Sequence, residues 1–480
     1  MSPPKSHQAH PRLVPLIVAV ALFMENMDST VIATSLPAIA ADLGTSPLTL
    51  KLAVTSYLLS LAVFIPASGW TADRFGARTV FRAAIAVFML GSIGCALATS
   101  IEAMVAARIV QGMGGAMMTP VGRLVLVRSI EKRDLVDAMA WVTVPAMIGP
   151  VIGPPLGGFI TTYFSWHWIF LINVPIGLLG LVLVTLYIDP VRAETIDRFD
   201  GVGMLLAGAG VAGLAFGLSV AGLDLLPGPV VGALIGGGAV AMFAYTLHAR
   251  RTPAPVLDFA LFRIPTFRAS VIGGFLFRLG IGALPFLLPL LLQIGFGLSP
   301  LQSGLVTFVS AVGAMGMKTQ AARIINHFGF RSVLVTNAVI SAVFLAACAA
   351  FTPGTPVAVI LATLLVGGFF RSLQFTAINT LAYADIDARR MSRATSLASV
   401  GQQLSLSAGV AVGALVVDLS LNWRGQTALS AADFAPAFLV VAAVSAASAL
   451  IFARLPADAG AEMSGRKPVT ATETSDQRIG

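Results

Sequence analysis

Five ionisable residues stand where ionisable residues are expensive. Glu25, Asp28, Arg108, Arg278 and Arg371 each lie inside a run of apolar residues long enough to cross a bilayer. A charge at the bilayer centre costs about 2.5–3.5 kcal/mol on insertion scales, so each needs a reason to be there. Glu25 and Asp28 are three positions apart, which puts them on one helix face with about 5–6 Å between Cβ atoms. Two carboxylates in poorly hydrated surroundings do not both ionise readily, so the pair can hold a proton as a coupled unit. The chemistry this points to is reversible proton binding, with Arg108 competing for the carboxylate in one state of a cycle. A static ion pair that fixes packing is the plainer alternative for Asp28 with Arg108. For Glu25 the alternative is solvation near a mouth.

Arg278 and Arg371 have no acid partner on their own helices. Guanidinium groups hold carboxylates and phosphates bidentately, so these two are candidates for binding an anionic group of a cargo. Gln374 and Asn379 follow Arg371 in the same run and are candidate hydrogen-bonding ligands, as are Gln402 and Gln403 further on. The competing readings are backbone carbonyls, Glu25 or Asp28 as partners for the arginines, and bonds between helices for the amides.

The elements that must position these residues are membrane helices. Of 480 residues, 57% are hydrophobic and only 11% charged, with a mean hydropathy of +0.88. A soluble chain carries about a quarter charged residues. The apolar residues come in long runs, and a run of about 20 spans the hydrocarbon as a helix. Fourteen candidate helices emerge, at roughly 13–36, 50–71, 79–99, 102–125, 136–160, 166–187, 201–221, 228–248, 267–293, 301–323, 331–351, 355–380, 394–418 and 433–454. The first run is too long for the h-region of a signal peptide and lacks a cleavage site, so it is expected to remain as a spanning helix. Cys95 and Cys348 fall in distant apolar runs and read as buried free thiols.

The net charge of +8 would suggest nucleic acid in a soluble protein. Here it reports orientation. With both termini in the cytoplasm, about 24 of the 30 Lys and Arg fall on that side. They include Arg74, Arg78, Arg82, Arg128, Lys132, Arg133, Arg250, Arg251, Arg323, Arg331, Arg389, Arg390 and Arg393, whereas Lys51 and Arg424 fall outside. A wrong helix count would scramble this asymmetry.

One segment recurs. Gly69 to Val80, containing Asp73, Arg74, Gly76 and Arg78, follows the second helix, and Ala322 to Val333 follows the tenth. Both contain Phe-Gly-x-Arg. The recurrence implies an all-α membrane fold of two six-helix halves with two helices between them. The expected parts are an N-terminal tail at 1–12, a first half at 13–190, the extra pair at 191–250, a second half at 251–455 and a disordered tail at 456–480. Gly149, Gly153 and Gly157, spaced by four, give the fifth helix a smooth packing face, while Pro150, Pro154 and Pro155 are expected to kink it. With Gly158 this run reads as a hinge, against the alternative of tight packing alone. The run Gly208 to Gly213 matches a dinucleotide fingerprint but lies in an apolar span with no preceding strand, so it reads as a packing face. No metal-ligand spacing, phosphate loop or catalytic constellation is present, which argues against an enzyme.

These motifs resemble those of the major facilitator superfamily, in its fourteen-helix drug:proton antiporter branch. Besides Gly69 to Val80, the matching segments are Asp28 to Pro37, Arg108 to Ala116, Gly149 to Gly158 and Trp166 to Pro175. The wording around Gly112 to Arg123 is most similar to the MdtD-like group of multidrug exporters. The resemblance covers nearly the whole chain. It implies that the first, fourth, seventh and tenth helices of the twelve-helix core line a central cavity, and these are the helices that carry the five deep charges. It also implies a switch role for Asp73, which does not extend to the second copy, where Asn326 takes its place. Glu25 is outside the motif, so its role rests on physics alone.

The resulting expectation is a proton-coupled exporter of small molecules in a bacterial inner membrane, multidrug-efflux-like, without a cofactor beyond the coupling proton. It would bind small-molecule cargo, protons and lipid, not nucleic acid, and act as a monomer. An exporter of an organic anion or anionic metal chelate is the alternative, and a facilitator or importer of the same fold a further one.

Overall fold

The computed structural model describes residues 13–129, 135–190, 199–220, 226–387, 390–461 and 463. The expected tail at 1–12 lies outside these, as do Lys132, Arg133, Arg389 and most of the tail expected to be disordered at 456–480; its first residues, 456–461, instead form turns, with Gly460 packed against Phe330 and Leu381. Twelve helices among the described residues are long and apolar enough to cross a membrane. In chain order they are α1 (Leu13–Thr34), α2 (Lys51–Phe75), α3 (Ala77–Ala96), α6 (Trp168–Tyr187), α7 (Gly201–Val220), α8 (Gly228–Ala249), α9 (Pro265–Gly295), α10 (Pro300–Lys318), α11 (Phe330–Ala350), α12 (Val357–Leu381), α13 (Met391–Trp423) and α14 (Ala431–Phe452). Two helices of 29 residues, α4 (Ile101–Ser129) and α5 (Leu135–Tyr163), complete the set. The chain is therefore an all-helical, multi-pass membrane protein.

Two short helices were not legible as separate pieces. Leu36–Asp42 follows α1, and Ala321–Phe328 follows α10, where the sequence pattern ran on to 323. The second has apolar residues on one face and polar ones on the other, as expected for a helix lying at a membrane surface.

The two halves share one packing plan. In the first, α1 packs on α5 and α6, and α4 packs on α2 and α3. In the second, α9 packs on α13 and α14, and α12 packs on α10 and α11. The halves meet along α5 with α10 and along α2 with α13, which are again equivalent pairs. The extra helices form a hairpin that lies on α2 and α13. Gly210, Gly213 and Gly217 of α7 abut Met242, Leu234, Gly238 and Ile235 of α8 so closely that no Cβ fits between them. The fingerprint-like glycines are thus a helix-packing face.

The repeated loop has the same backbone in both copies. Gly76 at φ 89° ends α2 and Gly329 at φ 79° ends the short helix Ala321–Phe328, and each begins the next long helix. Only glycine takes such a conformation without strain. Arg78 donates from Nη2 to the carbonyl of Thr185 in the last turn of α6, where helix carbonyls lack partners of their own. Trp70 stacks on Phe199, just before α7, with ring centroids 4.5 Å apart.

Candidate functional site

The glycine stripe of α5 sets the position of α1. Gly149, Gly153 and Gly157 lie against Phe23, Met27, Thr30 and Val31, and a Cβ at any of them collides with α1. The α5 helix is continuous through Pro145, Pro150, Pro154 and Pro155. On α4, Gly112 admits Tyr57 and Ser60 of α2, while Gly114 admits Ala84 and Phe88 of α3. Small residues here let three helices close around the polar side chains of α1 and α4.

Those side chains form one buried network. Arg108 Nη1 donates to Asp28 Oδ2 at 2.7 Å and to Gln111 Oε1 at 2.6 Å, and Arg108 Nε donates to the Ala53 carbonyl at 3.0 Å. Asp28 Oδ1 accepts from Gln111 Nε2 at 2.9 Å and from Asn173 Nδ2 at 2.7 Å. Ser92 Oγ accepts from both amides, at 2.8 and 3.2 Å. Asp28, Gln111, Asn173 and Ser92 have no accessible surface and Arg108 has 1%. The guanidinium also lies 4.3 Å from the Tyr57 ring centroid, a favourable position for a cation. Every contact to Asp28 comes from a donor, so the arrangement is that of an ionised carboxylate.

Glu25 takes a separate partner. Its Oε2 accepts from Thr119 Oγ1 at 2.9 Å, and the residue is half-buried. The two carboxylates of α1 thus both turn towards α4, but Asp28 sits inside the network and Glu25 outside it.

Between the halves lies a cavity of about 590 Å³ with a mainly apolar wall. Its polar lining comprises Asn26, Ser29, Thr30, Tyr57, Arg108, Thr307, Ser310, Lys318 and Arg371. Three of these are cations, and no lining residue is a carboxylate. Residues come from α1, α4, α9 and α12 as expected, and also from α2, α5, α10 and α13.

The cavity is closed at the end where α2 and α4 begin. There Leu36, Ile39, Leu48 and Leu50 of the first half share one apolar core with Leu287, Leu288 and Leu291 of the second. Gln293 Nε2 donates to the Thr34 carbonyl at 2.9 Å, and Leu301 N donates to Thr162 Oγ1 at 3.1 Å. Gly158 sits on the Pro300 backbone and Gly304 on that of Pro154. At the opposite end, which carries Arg74, Arg78, Arg323 and Arg331, the wall runs out to exposed Met315 and Lys318 in the last turn of α10. The cavity opens at this basic end.

Of the four residues read as cargo ligands, Arg371 lines the cavity, where its Nη2 donates to Ser310 Oγ at 2.7 Å. Arg278 is buried behind Phe375, whose ring centroid is 5.5 Å from its Cζ, and it donates to Asn379 Oδ1 at 2.6 Å. Neither arginine has a carboxylate partner among the described residues. Gln374 and Asn379 are not in the cavity wall. Gln374 binds across to α11 through the Leu334 carbonyl and Asn337. A polar residue in an apolar run is demanded equally by a cargo and by a neighbouring helix, and here the helix takes it.

Sequence reasoning missed Gln111, Asn173 and Ser92. Two of them carried a signal. Gln111 is three residues after Arg108 on the same face, and Asn173 is a lone amide in an apolar run. Ser92 had none. Lys318, in the last turn of α10, also lies at the cavity mouth.

Comparison with known proteins gives one answer. The profile of the Major Facilitator Superfamily matches residues 18–263 and 270–476. Proteins named provisionally as multidrug resistance protein MdtD, from Salmonella heidelberg (strain SL476) and Salmonella typhimurium (strain LT2), are 40% identical over 450 residues, covering 92% of this chain and 94% of theirs. Among solved structures, a D-xylose-proton symporter superposes with a TM-score of 0.67 at 15% identity, over 93% of this chain and 98% of its own. A bacterial homolog of the human lysosomal transporter Spinster, in an inward-facing and unoccupied conformation, gives 0.68 at 14%, over 96% and 100%. These two show a shared fold.

Proposed function

The chain belongs to the major facilitator superfamily of transporters, and on that premise we propose that it exports small molecules across a bacterial inner membrane in exchange for protons, with a multidrug-type range. The basic end faces the cytoplasm in this reading, because Lys and Arg are retained on that side during insertion. The observation that carries it is the pairing of Asp28 with Arg108 while the cavity is open at the basic end. An exchanger that has just released its proton inward, and is ready to take cargo from inside, has this arrangement. Proton uptake at Asp28 then frees Arg108, which already reaches the cavity wall. Glu25, outside the network, is the second proton-binding group. Arg74 and Arg78, with Gly69, Asp73 and Gly76, form the loop that locks one state. The α5 run through Gly158 supplies the hinge. One proton crossing 100 mV releases about 2.3 kcal/mol, and one pH unit adds about 1.4 kcal/mol.

The test is cargo-evoked proton release in proteoliposomes of defined orientation. Asp28→Asn is expected to abolish it while cargo binding persists. Unaltered coupling in that variant overturns the assignment, and uptake in the opposite direction makes the protein an importer.

A second reading is favoured by the cavity charge. Arg108, Lys318 and Arg371 line it without a carboxylate, which suits an organic anion or an anionic metal chelate better than a lipophilic cation. Screening cationic dyes beside organic acids and chelates separates the two.

A further inference from the structure

Asp28 has partners suited to one protonation state only. A carboxylate accepts, and Arg108, Gln111 and Asn173 all donate to it. Once protonated, the acid carries an O–H that needs an acceptor in a site without water-accessible surface. Arg108 has no acceptor atom. Gln111 Oε1 is taken by Arg108 at 2.6 Å. The carbonyl oxygen of Asn173 is different: Oδ1 is buried and has no hydrogen-bond partner among the described residues, although Nδ2 of the same amide is 2.7 Å from Asp28 Oδ1. An orphaned buried acceptor beside a group that must sometimes donate has a physical explanation in the second state of that group.

We infer that Asn173 is a positioning residue that serves both protonation states of Asp28 by turning its amide. With Asp28 ionised, Nδ2 donates to the carboxylate. When one proton binds, half a turn about the Cβ–Cγ bond exchanges Nδ2 for Oδ1, and the new O–H donates to Oδ1. Ser92 supports both positions, because its hydroxyl accepts from Nδ2 at 3.2 Å now and can turn its own proton to Oδ1 afterwards. The protonated acid is thereby stabilised without Arg108, which is released towards the cavity. This inference rests on Asp28 being the proton carrier.

Infrared difference spectroscopy of the full-length transporter in lipid, titrated with pH, reads the acid directly. The carboxylic-acid C=O band that disappears in Asp28→Asn belongs to protonated Asp28. Asn173→Leu is expected to shift this band to higher frequency, as for an acid without an acceptor, and Asn173→Ser is expected to leave it near its original place. Asn173→Ala carries the same test if the leucine variant does not fold, because it removes both amide atoms without adding bulk. A band unmoved by loss of the amide overturns the inference and leaves Asn173 as a packing residue. If no Asp28-dependent band appears at any pH, the proton-carrier reading fails first, and the inference with it.

Discussion

The two halves are built alike and charged unlike. In the first half, Arg108 meets Asp28 in a network where both carboxylate oxygens and the Nη1 and Nε of the arginine have partners. In the second half, the described partners of Arg278 and Arg371 are neutral oxygens, from Asn379 and Ser310, and Arg278 Nε has no hydrogen-bond partner among the described residues. The same helix-packing plan thus holds a compensated charge on one side of the cavity and uncompensated charge on the other. Compensated charge suits an internal ion that comes and goes, such as a proton. Uncompensated charge suits a ligand that brings the missing sign with it.

The largest effect that sharpens this contrast is on stability. Arg108→Ala leaves a buried carboxylate without its counter-ion, and breaking a buried pair in this way costs about 3–5 kcal/mol. Arg278→Ala leaves a neutral amide, with an expected cost of about 1–3 kcal/mol. Thermal unfolding in detergent should therefore rank Arg108→Ala well below Arg278→Ala. Adding Asp28→Asn to Arg108→Ala should recover much of the loss, since the orphaned charge is gone. Equal losses in the two halves, or no recovery in the double variant, would break the comparison.

Next in size is an effect on transport. Arg371→Ala removes one of the two second-half cations of the cavity wall, the other being Lys318, while leaving only the Ser310 hydroxyl unpaired. Uptake of an anionic cargo into inverted vesicles is expected to fall at least tenfold, with little change in melting temperature. A cationic dye should be exported as before or better. If the dye is the cargo that fails, the cavity charge is structural and the anion reading is lost.

The sequence made the framework legible for a simple reason. Membrane helices are fixed by length and hydropathy, and the positive-inside asymmetry checks their number independently. Asp28 and Arg108 were legible because deep charges are rare enough for two of them to predict each other. Gln374 and Asn379 were not, because an amide gives no sign of which neighbour it will bind. Gln374 lies one helical turn from Arg371, yet it turns to α11 while Arg371 turns to the cavity. The partition of Glu25 from Asp28 was hidden for a similar reason. Spacing of three put both on the side facing α4, but it could not tell that Thr119 claims one and Arg108 the other.

The smallest expected effects concern the repeated loop, where the halves differ in wiring and not in backbone. Gly76 and Gly329 both adopt positive φ, so Gly76→Ala and Gly329→Ala should each cost about 1–3 kcal/mol through backbone strain alone. The arginines that follow should not behave alike. Arg78 is tied to the Thr185 carbonyl at the end of α6, whereas Arg331 makes no side-chain hydrogen bond or ion pair among the described residues. Arg78→Gln should slow the switch between cavity states, measured as the rate of cargo exchange across proteoliposomes at saturating cargo, by a few-fold. Arg331→Gln should leave it nearly unchanged. Equal slowing by both would mean that the loop acts through its charge at the membrane surface, which the two copies share, and not through the bond that only the first copy makes.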